Sequence, residues 1–280
     1  MWRAAGRLCR STPHFRGKWR YLSVAARRIR VRGYTTTIAF DRGQRIVLDL
    51  DDWIPYQLFL TGVYDVETHH TTFFRRVVQP GMVVLDVGAH IGYYTLQAAA
   101  RVGPTGQVHS FEPSMRACTR LLENVSLNAF TNVTINRCIV HGQPGQMQLT
   151  LGDDQNTGTS TTLTTLANDS GRRELVDAIM LDDYVRSKEL RRVDLVKIDA
   201  EGSDLAVLSG ARELLSQQNP QLLIEISPPS SGPARIDVID YLRGFGYLPW
   251  RIGARGPEPW TGPLVKREPL VLFRRPGAAH

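Results

Sequence analysis

The chain of 280 residues is predicted to fold as a doubly wound α/β protein around a mostly parallel sheet. Three observations predict it. Apolar runs alternate along the chain with helical stretches. One run, Val83 to Val87, leads into Gly88-Ala89-His90-Ile91-Gly92 and then a helix-like stretch from Tyr93 to Val102. A second run, Gln107 to Phe111, ends in Glu112-Pro113, with Glu112 twenty residues after Gly92. Strand, glycine turn, helix and strand in that order place a nucleoside site at the carboxyl edge of a parallel sheet.

The elements follow from local pattern. Tyr34 to Phe40 and Arg45 to Leu50 alternate apolar and polar residues around Asp41-Arg42-Gly43-Gln44, which predicts a β-hairpin. Trp53 to Val78 reads as helical, with a break near Gly62-Val63-Tyr64, and Pro80-Gly81 punctuates the approach to the first sheet strand. Ser114 suits the N-cap of a helix running to about Asn128. Val133 to Val140 reads as one strand. Gln146 to Met180 reads as an antiparallel excursion with a mobile loop, Gly152 to Thr161. Val193 to Ile198 and Leu222 to Ile226 are strands around a helix from Ser203 to Gln217. Arg235 to Arg243 is a helix, and Tyr247 to Ile252 and Leu270 to Phe273 are the last strands. The chain thus divides into a basic arm (1–32), a hairpin with a helical lead-in (33–80) and the sheet domain that carries the site (81–280).

The net charge of +7 conceals a division. Residues 1–40 hold ten Lys or Arg and no acid, which leaves 24 basic and 27 acidic residues in the remainder. A body with no basic excess argues against a nucleic-acid partner. In the arm, Trp19, Leu22, Ala26 and Ile29 recur at near-helical spacing among arginines. That pattern suits a solvated helix packed on the domain, peripheral contact with an anionic membrane, or an organelle-targeting segment. No run of eighteen apolar residues exists, so no membrane span is predicted. Cys9, Cys118 and Cys138 have no paired or metal-type spacing and read as reduced thiols, which places the chain in the cytoplasm. Nothing in the pattern sets an oligomeric state.

The turn does not suit a dinucleotide. Its spacing is G-x-x-x-G, and Asp86 would stand where a pyrophosphate must go. S-adenosylmethionine carries no phosphate but does carry a sulfonium and an α-ammonium, which a carboxylate attracts. Glu112, at the tip of the next strand, can accept both hydroxyls of a ribose. Asp86, Gly88, Ala89, Gly92 and Glu112 are therefore the candidate cofactor-binding residues. A second constellation is Lys197, Asp199 and Glu201 at the end of a buried strand, with Glu225 at the end of the next. Charges there are costly unless paired or used. A carboxylate in this group can take the proton from an acceptor hydroxyl, and Lys197 can lower that hydroxyl's pKa or pair with an acid. Asp199 and Glu225 also have the oxygen donors for Mg²⁺. A plain ion-pair network is the alternative. His90 and the adjacent His69-His70 read as non-catalytic.

Several segments together resemble a known family. They are Asp86-Val87-Gly88-Ala89-His90-Ile91-Gly92-Tyr93-Tyr94-Thr95-Leu96, Phe111-Glu112-Pro113, Asn124-Val125 with Asn128, Leu181-Asp182-Asp183-Tyr184 and Val196 to Gly202. Their order is similar to that of the FkbM family of S-adenosylmethionine-dependent methyltransferases, over about residues 60–228. The resemblance implies a class I methyltransferase fold, Rossmann-like, with a seven-stranded sheet. It implies O-methylation of a hydroxyl on a sugar, glycolipid or secondary metabolite, with Asp86, Gly88 and Glu112 binding the cofactor. Two other functions compete. One is a protein or nucleic-acid methyltransferase, although the amino-methylating Asn/Asp-Pro-Pro-Tyr signature is missing and Ile226-Ser227-Pro228-Pro229 only echoes it. The other is a non-catalytic cofactor-binding module that docks through its arm on a membrane or partner.

Overall fold

In the computed structural model, the first sheet strand lies inside the main sheet, with two later strands on one side and five on the other, and the last strand inserts between two earlier ones. The described residues are 33–63, 68–152, 160, 172–226, 235–260 and 268–277. The basic arm and most of the loop expected at 152–161 lie outside them. Strands β1 (Thr35–Phe40) and β2 (Gln44–Asp49) form the expected antiparallel hairpin, with Phe40 paired to Gln44 across the turn. Helices α1 (Trp53–Thr61) and α2 (Thr68–Val77) follow. The sheet domain then runs β3 (Val83–Val87), α3 (Tyr93–Val102), β4 (Gln107–Phe111), α4 (Met115–Leu127), β5 (Val133–Asn136) and β6 (Ile139–Val140). It continues with β7 (Gly145–Thr150), β8 (Arg173–Ile179), α5 (Leu181–Ser187), β9 (Leu195–Ile198), α6 (Asp204–Ser209) and β10 (Gln221–Ile226). It closes with α7 (Arg235–Arg243), β11 (Leu248–Gly253), β12 (Gly256–Pro259) and β13 (Glu268–Arg274).

The main sheet has the order β12-β11-β13-β10-β9-β3-β4-β5. Strands β10, β9, β3, β4 and β5 are parallel, and β13, β11 and β12 are antiparallel. Eight strands replace the expected seven, because β11 turns back at Gly253 to Gly256 and pairs with the short β12. Three other readings are corrected. The strand expected over Val133 to Val140 splits, β5 staying in the main sheet while β6 joins β8 and β7 in a separate three-stranded sheet. The helix expected from Ser203 to Gln217 stops at Ser209, and a π-helical turn, Leu214–Gln218, follows. A helix, α5, was not read from the pattern; its Asp182 accepts hydrogen bonds from the Glu213 and Leu214 amides, both at 2.9 Å.

The parallel strands are buried on both faces, so they read as continuous apolar runs. Period two sends Val84, Val108 and Leu195 into one core with α3, α4, the hairpin and α1. Leu85, Val87, Val196 and Ile198 go into the other, with α5, α6 and α7. Asp86 shares the face of Val84 and so meets α3. The hairpin contributes Ile38, Phe40, Ile46 and Leu48 to that first core, so it is packed with the sheet domain and not merely appended to it.

Polar contacts fix the same union. Asp41 in the hairpin turn is paired with Arg101 at the end of α3 and with Arg75 of α2, at 3.2 Å. Burial opposes ionisation of Asp41, but the two guanidiniums outweigh it and hold its pKa below the usual carboxylate range. Its contribution to stability is therefore present above about pH 4 and is lost as pH falls through the lowered value. On α4, fully buried Asn124 accepts from the Val47 amide (2.7 Å) and donates to the carbonyls of Ile91 (2.8 Å) and Val47 (3.4 Å). Asn128 makes the equivalent pair with both backbone groups of Arg45. Replacing Asn124 by Ala strands a buried amide and a buried carbonyl, so urea denaturation is expected to show a loss of about 2–4 kcal/mol. Asn128→Ala, at the exposed end, should cost about 1 kcal/mol or less. Equal, small losses at both sites would refute the role given to Asn124.

Candidate active site

Four strand ends meet at the carboxyl edge of the sheet. Strands β3 and β9 are adjacent and parallel, and their register sets Asp86 directly beside Lys197. Lys197 is 2% exposed. Its ammonium donates to the Gly88 carbonyl at 2.8 Å and lies 3.5 Å from Asp86 Oδ1 and 3.4 Å from Asp199 Oδ2. It also stands 5.5 Å from the centroid of the Tyr94 ring. Burial alone would lower its pKa, but Asp199, Asp86 and Glu225 together raise it, so the ammonium stays charged.

Asp86 is 1% exposed. Its Oδ2 accepts from the Thr95 hydroxyl at 2.6 Å, and Thr95 Oγ1 is 2.8 Å from Ser110 Oγ. Because Thr95 gives its proton to Asp86, Ser110 donates to Thr95. The carboxylate expected to attract a cationic ligand is thus buried, with Thr95 and Lys197 against it. Of the two roles expected for Lys197, the structure shows the pairing with acids: its ammonium is spent on the turn and on Asp86 and Asp199.

The turn itself is shaped by close approach. Gly88 has φ +73°, and a Cβ there would lie 1.9 Å from the Asp199 carbonyl oxygen. The Gly88 and Ala89 amides both donate to the Phe111 carbonyl at 3.0 Å, which ties the turn to the end of β4. Gly92, with φ +95°, opens α3. His90 between them takes φ +49°, a region that His tolerates better than most residues. Its Nε2 lies 3.9 Å from Asp52 Oδ2, and burial lowers its pKa despite the nearby Asp52 and Asp199 carboxylates.

Glu112 follows β4 and is buried. Its Oε2 accepts from the His90 amide (2.8 Å) and its Oε1 from the Ser114 amide (2.9 Å). Burial pushes its pKa up to about 7, although those two amides work against the rise. A carboxylate has roughly four acceptor sites, so two remain for a ligand's hydroxyls.

Asp199 is the more open acid, with its side chain 16% exposed. Glu201 occupies the turn after β9 with φ +45°, followed by Gly202 at +90°. Glu225 is half-buried on β10 and acts on Lys197 through its charge. Asp86, Glu112, Asp199, Glu201 and Glu225 therefore come to one edge, as expected, but with different access. The expectation of Mg²⁺ on Asp199 and Glu225 finds no support: the Lys197 ammonium already serves Asp199, and no group of three His, Cys, Asp or Glu among the described residues could hold a metal ion.

Thr95 lies within the quoted motif and Ser110 just before Phe111-Glu112-Pro113, but neither carries a spacing signal that marks its role. Asp204, whose pKa burial raises to about 6, accepts from the Ala200 amide at 3.2 Å and steadies the turn after β9. Asp52 belongs to the lead-in and reaches the site only through folding. The motif residue Tyr184 proves structural: its hydroxyl lies 2.8 Å from His109 Nδ1 and accepts from Asn136 at 3.1 Å. No helix of the described residues is long and apolar enough to cross a membrane.

A family model described as the methyltransferase FkbM domain matches residues 86–249, more than half of the chain. A 31-O-demethyl-FK506 methyltransferase from Streptomyces tacrolimicus is 25% identical over 196 residues, covering 61% of this chain and 74% of that protein. Methyltransferase 1 of Beauveria bassiana is 24% identical over 241 residues, covering 80% of this chain and 90% of that protein. Among solved structures, the FkbM methyltransferase of Methylobacillus flagellatus is similar at 17% identity and a TM-score of 0.47. That likeness covers 78% of this chain, which spans about half of the other chain's length (52%).

Two substitutions test the architecture of the edge. Gly88→Ala forces both a strained φ and a clash with backbone, and is expected to lower the melting temperature by roughly 10 °C or more. Lys197→Met leaves buried carboxylates without their cation and should cost about 3–5 kcal/mol in denaturant unfolding. A Lys197→Met protein of parent stability would show that the ammonium is not needed to hold the turn.

Proposed function

The chain belongs to the FkbM family of S-adenosylmethionine-dependent methyltransferases, and we propose that it methylates a hydroxyl of a small molecule, such as a sugar, glycolipid or secondary metabolite. The observation that carries the reading is the pairing of a glycine turn, tied to β4, with the half-satisfied Glu112 carboxylate beside it.

The residues present fit the cofactor. Glu112 would accept the ribose hydroxyls on its two remaining acceptor sites. The turn from Gly88 to Gly92 would present its backbone to the cofactor's amino-acid end, in a left-handed conformation that glycine takes without strain at Gly88 and Gly92. When bound, S-adenosylmethionine supplies a methyl carbon that leaves sulfur as the acceptor oxygen bonds to it, the electron pair staying on sulfur. Asp199 is the acid with room to receive the acceptor's proton, because its carboxylate is partly exposed and only partly engaged by Lys197. Lys197 keeps Asp199 in place and Asp86 completes that pair; Glu201 and Glu225 add negative charge around them. Membrane contact through residues 1–32 stays a separate proposal, motivated by their ten basic residues.

Glu112 gives the cofactor site a pH dependence of definite sign. Hydroxyl donors favour its ionised form, whereas burial has raised its pKa to about 7. Affinity for S-adenosylhomocysteine, read by titration calorimetry, should therefore weaken as pH falls from 8 to 6, by up to about tenfold per pH unit below 7. Glu112→Gln should bind more weakly at pH 8 and lose this slope. The same slope in the variant would remove Glu112 from the site.

Asp199→Asn keeps an acceptor toward Lys197 but removes the basic carboxylate. Methyl transfer, followed with tritiated S-adenosylmethionine and extracted acceptors, is expected to fall by about 10²–10⁴-fold. Affinity for S-adenosylhomocysteine should stay within about twofold, well inside one decade of binding energy. Undiminished transfer would place the base elsewhere, and a collapse in melting temperature would make Asp199 a member of the ion-pair network alone.

A further inference from the structure

A cavity of about 490 Å³ lies where the lead-in meets the sheet domain. Sites for small molecules typically span roughly 300–1,000 Å³. Its walls are the start of α1, the first turns of α4 and the facing ends of β7 and β8. Gly88, Glu112 and Asp199 are not among its lining residues, so it lies beside the cofactor turn and not within it. It touches that turn at Ile91 and Ser114, which flank His90 and Glu112 in sequence, and it includes Asp52. His90 connects the two regions. Its imidazole lies 3.9 Å from Asp52 and is subject to the charge of Asp199 on the sheet edge.

We propose that this cavity binds the methyl acceptor, and that the acceptor is a neutral, hydroxyl-rich molecule whose reactive hydroxyl is held beside Asp52 and His90. The assignment rests on the methyltransferase reading above. Its chemical argument is that three of the wall's acids, Asp49, Glu123 and Glu174, each already face a guanidinium. Asp49 is paired with Arg116 at 2.8 Å, and Glu123 with Arg120. Glu174 takes Arg137 at 2.8 Å and the Met115 amide at 3.1 Å. An anionic or cationic ligand would have to displace one member of such a pair. A hydroxyl need not: it accepts from a guanidinium and donates to a carboxylate, and so inserts beside a pair that stays intact. Pro55, Met115 and Leu151 add apolar wall for the carbon skeleton between hydroxyls.

The inner end suits orientation more than ionisation. Burial holds the His90 imidazole neutral at physiological pH, with one ring nitrogen able to donate and the other to accept. Such a group turns a hydroxyl without taking its charge. The reactive hydroxyl reaches from the cavity past His90 to the sheet edge, where the Asp199 carboxylate takes its proton as the new oxygen–carbon bond forms. His90 is accordingly a positioning residue, and Arg120 and Glu123 are binding residues remote from the transfer.

The test uses the full chain saturated with S-adenosylhomocysteine. Saturation-transfer NMR reads the binding of a panel of methyl glycosides in neutral, carboxylated, amino and phosphorylated forms. Neutral members should bind best, and Arg120→Ala and Glu123→Ala should each weaken them by about tenfold while affinity for S-adenosylhomocysteine changes by less than about twofold. With tritiated S-adenosylmethionine and the best-bound glycoside, the wall variants should raise KM at constant kcat. His90→Asn, which tolerates the same backbone conformation, should mainly lower kcat. The assignment is overturned if no neutral glycoside binds, if a charged analogue binds better, if the wall variants change nothing, or if they weaken S-adenosylhomocysteine, which would give the cavity to the donor. Failure of the parent chain to bind S-adenosylhomocysteine would instead overturn the methyltransferase reading, and this assignment with it.

Discussion

One buried ammonium organises the sheet edge. Lys197 is surrounded by Asp86, Asp199 and the charge of Glu225, and it also donates to the Gly88 carbonyl. Removing four charges from water is expensive, and only mutual pairing offsets the cost. Adjacent parallel strands in fixed register satisfy that condition, because they set Asp86 beside Lys197 before any side chain adjusts. The bond to Gly88 then carries the constraint outward. It orients the turn so that two amides reach the Phe111 carbonyl, and β4 delivers Glu112 beside the turn. The position of the Glu112 carboxylate is thus tied to an ion pair one strand away.

This arrangement separates the acids by access, although the sequence presents them alike. Asp86 and Glu112 both follow apolar runs, yet Asp86 meets a hydroxyl and a cation, Thr95 and Lys197, while Glu112 accepts from two amides. Asp199 is partly open because it lies just past the end of β9. The difference is geometric: Asp86 lies within β3, whereas Glu112 and Asp199 lie just past the ends of β4 and β9.

The parallel order, the hairpin, the glycine turn and the Ser114 cap were legible because each depends on a short local pattern. So was the gathering of Asp86, Glu112, Asp199, Glu201 and Glu225 at one edge, which follows from alternating strands and helices alone. What was not legible depends on contacts across the chain. The split between β5 and β6 follows from β8 competing for Ile139 and Val140. The eighth strand arises from a two-residue turn at Gly253 to Gly256 with two prolines beyond it, a poor strand signal. The role of Asp52 could not be read because 38 positions separate it from His90.

The asparagine clamp on β2 has a consequence outside the site. A two-stranded hairpin leaves an open edge whose amides and carbonyls invite another chain to pair. Here Asn124 and Asn128 bond the backbone of Val47 and Arg45 as a neighbouring strand would, so a helix closes the edge that a strand would otherwise seek. At the end of the main sheet, β12 carries Pro257 and Pro259, which cannot donate to an incoming ladder. Both devices leave fewer open donors for an incoming strand, and Asn124, which also donates to the Ile91 carbonyl, joins the closing of that edge to the glycine turn.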